Sequence, residues 1–189
     1  MNTFPIVKSK LTTPELPTGM LYSNRLKDFL IENKRITVIT AQSGFGKTST
    51  VLLALKTHRE NIRWYRMEKE DSFLPIFYTH LIETLFQGRD KRNLDCHRAL
   101  TGVQDLSKEY PIINARICQD AADLSHGNKP IYLSFDDFHN VAENIDIVES
   151  LRYFAVNLPE FISIVVTSRT ETNILTGKLS VSKTALSIS

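Results

Sequence analysis

Apolar and polar positions follow two rhythms along this chain. Four short, mostly β-branched or aromatic runs read as strands: Ile36 to Thr40, Ile62 to Met67, Ile131 to Phe135 and Ile162 to Thr167. Between them apolar residues recur three and four positions apart, as on one face of a helix. Arg25 to Asn33 places Leu26, Phe29 and Leu30 together, and Thr48 to Arg59 places Val51, Leu52 and Leu55. Asp71 or Ser72 is a cap residue for a helix that turns Phe73, Phe77, Leu81, Ile82 and Leu85 inward. Residues 96–126 hold one or two more helices, and Asn144 to Asn157 another, with Ile147, Leu151 and Phe154 facing the core. Ala185 to Ile188 begins a fifth strand. Pro5, Pro14 and Pro17 punctuate a polar N-terminal stretch that reads as an extended surface arm.

Strands that alternate with helices predict an α/β fold with a parallel sheet covered by helices on both faces. Ligands of such sheets bind beyond the carboxyl ends of the strands. The expected organisation is an arm over residues 1–24 and one α/β domain over 25–189, interrupted at its C-terminal end.

Bulk properties narrow the options. A length of 189 residues suits one domain or one domain plus a fragment. A net charge of +2 supplies no case for nucleic acid or an anionic membrane. No apolar run approaches the roughly 20 residues of a membrane span, and Met1 to Pro5 has no signal-peptide character. Cys96 and Cys118 form neither a disulfide framework nor a zinc spacing, so a reducing, cytoplasmic setting is expected.

The strongest chemical signal is AQSGFGKT, Ala41 to Thr48, between a strand and a helix. It fits the P-loop pattern except that Ala41 stands at the first glycine. Gly44 and Gly46 permit the dihedrals that point successive N–H groups at a phosphate. The following helix N-terminus favours an anion. The cradle comprises Ala41, Gln42, Ser43, Gly44, Phe45, Gly46, Lys47, Thr48 and Ser49. Lys47 supplies positive charge to the β- and γ-phosphates, and Thr48 a hydroxyl to Mg2+. A second signal, IYLSFDDFH, ends a strand on Asp136 and Asp137. A carboxylate buried there needs a cation; Asp136 suits the metal and Asp137 an attacking water. A third is Thr167-Ser168-Arg169, whose hydroxyls suit the water and whose arginine suits terminal phosphate oxygens. His139 reads as a packed histidine, with a relaying role as the alternative. Trp64, Tyr65 and Phe77 read as core.

Taken together, these motifs resemble the ATPase module of MalT-like LuxR-type regulators, in the STAND class of signal-transduction NTPases. The resemblance runs from Lys10 to about Ile188 through KLTTPELP, Arg25-Leu26, ITVITAQSGFGKTS, WYRMEKEDS, FYTHLIETL, IYLSFDDFH and ISIVVTSR. It implies a three-layer P-loop NTPase with sheet order 5-1-4-3-2, ATP or ADP with Mg2+ as ligands, and slow hydrolysis or exchange that drives a switch. It also implies that Leu21 to Arg25 approaches adenine and ribose, and that Arg169 senses the γ-phosphate. Ser23-Asn24 departs from a charged pair common in relatives. The helical lid, repeat sensor and helix-turn-helix of such regulators are absent from these 189 residues. A fragment of a longer regulator, partnered by other domains or protomers and without its own DNA contact, is therefore expected. A small-molecule P-loop kinase and an ATP-binding module without catalysis are the alternatives.

Overall fold

A computed structural model describes residues 4–16, 34–124 and 129–175, and the backbone of 185–188. Its strands are β1 (Ile36–Thr40), β2 (Ile62–Arg66), β3 (Ile131–Asp136), β4 (Ile162–Ser168) and β5 (Ala185–Ile188). The helices are α1 (Lys47–Ala54), α2 (Leu74–Leu85), α3 (Asp95–Gly102), α4 (Leu106–Ala122) and α5 (Ile145–Asn157). The strands form one parallel sheet ordered β2-β3-β4-β1-β5. β4 therefore lies between the strand that feeds the glycine loop and the strand that ends in the acidic pair.

Alternation along each strand divides the core into two layers. Ile36, Val38, Tyr65, Leu133, Phe135, Ile164 and Val166 face a large cluster completed by α2, α4 and α5. Ile39, Ile62, Trp64, Tyr132 and Val165 face a smaller one with Val51, Leu52 and Leu55. Helices thus cover both faces, and Trp64, Tyr65 and Phe77 are core residues as expected. On the larger side the Tyr78 hydroxyl donates to Asn114 Oδ1 at 2.8 Å, and Asn114 Nδ2 donates to Ser150 Oγ at 3.0 Å. Three helices are thereby joined by a buried polar triad with its groups satisfied.

Three local expectations change. The helix after the glycine loop ends at Ala54, and Lys56–Asn61 turns back to start β2, which keeps Leu55 buried. Phe73 is the N-terminal boundary residue of α2 and is 53% exposed rather than inward. Neither Asp71 nor Ser72 caps that helix. The Asp71 carboxylate is instead fully buried and accepts from four donors: Glu68 N–H at 2.7 Å, Lys10 Nζ at 2.9 Å, Tyr65 Oη at 2.9 Å and His80 Nδ1 at 3.0 Å. His80 Nε2 accepts the Val7 N–H at 3.2 Å, so the ring proton sits on Nδ1.

Lys10 and Val7 belong to the arm, so this acid fastens the arm to β2 and α2. The arm crosses the open edge of the sheet: Leu11 packs against the larger cluster and Leu16 against the smaller. The expected helix at Arg25 to Asn33, with Arg25 itself, lies outside the described residues. No helix among the described residues is long and apolar enough to cross a membrane.

Burial alone would raise the Asp71 pKa, but the hydrogen bonds from His80, Glu68, Lys10 and Tyr65 outweigh it and hold the acid at about 2. A carboxyl depressed in the folded state stabilises above its unfolded value and loses that contribution as the pH falls through the folded one. The stability advantage of the wild type over Asp71→Asn, followed by urea unfolding, should therefore shrink by about 2 kcal/mol between about pH 5 and pH 2.

Candidate functional site

The site is assembled where β1, β4 and β3 end side by side. The β1–β4 ladder pairs Thr40 with Ser168 and continues one step further, as the Ala41 N–H donates to Ser168 O at 3.1 Å. That bond fixes the start of the glycine loop. Gly44 and Gly46 then take φ values of 85° and 74°, conformations that glycine adopts without penalty. Gly46 is also the boundary residue of α1, and no side chain caps this helix. The first intrahelical bond runs from Thr50 N–H to Gly46 O at 2.8 Å. The N–H groups of Lys47, Thr48 and Ser49 precede it and are available to an anion.

Lys47 folds back over this loop. Its Nζ donates to Ala41 O at 2.6 Å and Gln42 O at 3.0 Å, and its side chain is buried. The ammonium is therefore held on the loop by loop carbonyls. Gln42, Ser43, Gly44 and Phe45 are exposed, Phe45 to 75%.

Thr48 faces the acidic strand end, and its hydroxyl lies 3.1 and 3.2 Å from the two oxygens of Asp136. From the other side Thr167 Oγ1 donates to Asp136 Oδ1 at 2.5 Å. The same hydroxyl accepts the Asp137 N–H at 3.2 Å. Asp136 is 4% exposed, and among the described residues it is met by the hydroxyls of Thr48 and Thr167 and by the Asp137 backbone, with no cation paired to it. Burial pushes its carboxyl pKa up; the charge of Asp137 adds to this, while the bonds from Thr167 and Thr48 oppose it. An acid so placed fits a hard divalent cation, which takes one or two carboxylates, a hydroxyl and phosphate oxygens. The described residues contain no cluster of three or more acids, histidines or cysteines able to cage a metal unaided, and a magnesium ion shared with phosphates needs none.

Asp137 has φ 57°, the one non-glycine residue with positive φ among those described. The turn it makes aims its carboxylate toward Arg169, whose Nε is 3.7 Å from Oδ1, and toward His139, whose Nδ1 is 3.8 Å from the same oxygen. Burial lowers the His139 pKa, Arg169 and Lys47 push the same way, and Asp137 and Asp136 oppose them. Ser168 does not face the site, since its hydroxyl donates to Thr170 O at 2.7 Å. The Thr167 hydroxyl, by contrast, holds the acidic strand end through Asp136 and the Asp137 N–H. The spacing of Thr167 gave no sign of this, because its two partners lie 30 and 31 positions away. A separate cavity of about 710 Å3, lined in part by Phe4, Phe73, Leu100 and Val103, shares no residue with this site.

No family model matches the chain. Among solved structures it is similar to a STAND protein with a tetratricopeptide repeat sensor from Pyrococcus horikoshii, with 16% identity and a TM-score of 0.55. That similarity covers 95% of this chain and 24% of the other, so the chain spans about a quarter of that protein's length. Weaker likenesses are to Drosophila ORC bound to DNA (14% identity, 87% of this chain and 40% of the other, TM-score 0.49) and to a Walker-type ATPase of Pyrococcus abyssi (13%, 76% and 43%, 0.47). The first similarity shows the fold, an α/β sheet of the P-loop NTPase kind.

A Cβ built on Gly44 or Gly46 meets nothing within 4 Å. Substitution there should therefore cost only backbone strain. Gly46→Ala should lower stability by about 1–2 kcal/mol and Gly46→Asn by less, as urea unfolding would register.

Proposed function

We propose that this chain is a nucleotide-binding switch module of the STAND class, of the kind found in MalT-like LuxR-type regulators. It holds ATP, or ADP, with Mg2+ at the loop from Ala41 to Ser49. The observation that carries the proposal is that the two ends of one loop-helix junction face different partners: Lys47 folds onto the loop carbonyls of Ala41 and Gln42, and Thr48 meets the buried Asp136. The first N–H groups of α1 precede its first intrahelical bond, and the ammonium of Lys47 is held on the same loop. In this reading the loop amides and Lys47 bind the phosphates, and Thr48 and Asp136 hold the metal between them. The metal would supply neutralisation of charge that develops on the phosphates.

Asp137 orients the attacking water, and Arg169 meets the terminal phosphate. Arg25 is assigned to the base and ribose by resemblance alone. Slow hydrolysis or exchange then alters contacts with other domains or protomers. The module makes no DNA contact of its own and works in the cytoplasm. A fold of this kind also hosts kinases, so the reading rests on the site rather than the architecture.

Thermal unfolding with and without Mg-ATP tests the binding. The wild type should be stabilised in a concentration-dependent manner, and Lys47→Ala should lose that stabilisation. Equal stabilisation of both proteins would reject the site. Asp137→Asn should keep ATP bound while phosphate release falls by about 100-fold or more.

A further inference from the structure

Two positive or polar side chains converge on one oxygen of Asp137, and neither is bonded to it. Arg169 Nε stands 3.7 Å from Oδ1 and His139 Nδ1 stands 3.8 Å from it. Both separations exceed a normal hydrogen bond. His139 Nδ1 is buried and without a hydrogen-bond partner. A buried ring nitrogen left so is costly, and a shift of under 1 Å toward Asp137 would satisfy it. The backbone beneath these groups is fixed. Asp137 N–H is held by Thr167, and the bend at Arg169 is held by the Ser168–Thr170 bonds of 2.7 and 3.3 Å. The Arg169 side chain is 49% exposed, so it is the member free to leave.

We propose that Asp137 changes partners with the state of the nucleotide: Arg169 rests beside it when no terminal phosphate is present, and His139 closes onto it when a terminal phosphate draws Arg169 away. The inference rests on the nucleotide reading above and adds a regulation to it. Before ATP arrives, Arg169 lies against the acid assigned to the water. Once Arg169 moves, His139 donates from Nδ1 and keeps the Asp137 carboxylate aimed into the site. His139 is thus a positioning residue, acting through Asp137 without touching phosphate. The coupling is reciprocal, so the contact of Arg169 with Asp137 opposes ATP and is indifferent to ADP.

Titration calorimetry on the full chain, with Mg-ADP and with a non-hydrolysable Mg-ATP analogue, tests both halves. Loss of the Asp137 charge will by itself favour the more highly charged nucleotide, so the informative quantity is the coupling between variants. Arg169→Ala should weaken the ATP analogue at least about three-fold more in an Asp137→Asn background than in the wild type, with ADP unmoved. His139→Phe should weaken the analogue but not ADP, only where Asp137 is present, and His139→Asn should restore it. Equal Arg169→Ala effects in both backgrounds would overturn the resting contact. Equal losses of analogue and ADP in His139→Phe would overturn the handover. If the wild type binds neither nucleotide, the site reading itself fails and takes this inference with it; binding of both without coupling sinks the inference alone.

Discussion

One buried carboxylate ties together the carboxyl edge of the sheet, where the proposed site lies. Asp136 ends β3 at the carboxyl edge of the sheet, where a negative charge out of water is expensive. Its oxygens are met by Thr48 from the first turn of α1 and by Thr167 from β4. The glycine loop, the middle strand and the acidic strand are thereby referred to one point. A one-residue slip of β4 against β1 or β3 would carry Thr167 to the other face, since side chains alternate along a strand. The observed register, with Ile39 opposite Thr167 and Phe135 opposite Val166, is the one that satisfies the acid.

The protein contains a second buried acid, solved differently, and the contrast separates structure from site. Asp71 is surrounded by an ammonium, a phenol, an imidazole and a backbone amide, and its pKa falls. Asp136 has two hydroxyls and a backbone amide but no paired cation among the described residues, and burial raises its pKa. Asp71 is complete within the protein. Asp136 still has an electrostatic demand, and it lies beside a loop with unused amides. An acid left in that condition beside the glycine loop is the feature on which the proposed metal and phosphate site rests.

Much of this was legible because it is local. β1, β3 and β4 announce themselves as compact β-branched or aromatic runs, and the glycines of the loop sit at fixed spacing from Lys47 and Thr48. The alternation of strand and helix gives the parallel, two-faced sheet. What was not legible is held by distant partners. Asp71 carries the local features of a helix cap, but its carboxylate is drawn inward by Tyr65, His80, the Glu68 N–H and Lys10, the last 61 positions earlier. The same holds for Thr167, whose hydroxyl serves residues on the neighbouring strand. Ser168 looks equivalent to Thr167 in a list, but alternation on β4 and the turn at Thr170 send it elsewhere.

The passage of the arm over the rim of β2 has a further consequence. An uncovered border strand offers a row of free amides and carbonyls to any other extended chain, and many proteins self-associate through such rows. Here the arm is packed beside that strand, with Lys10 buried on Asp71 and Leu11 against the larger cluster. A shortened version of this chain starting after Leu11 would keep every residue assigned to phosphate and metal, yet it would bare a ragged side prone to stacking with its own copies. Protection of the sheet's border and the proposed ligand site are thus placed on separate stretches of the polypeptide.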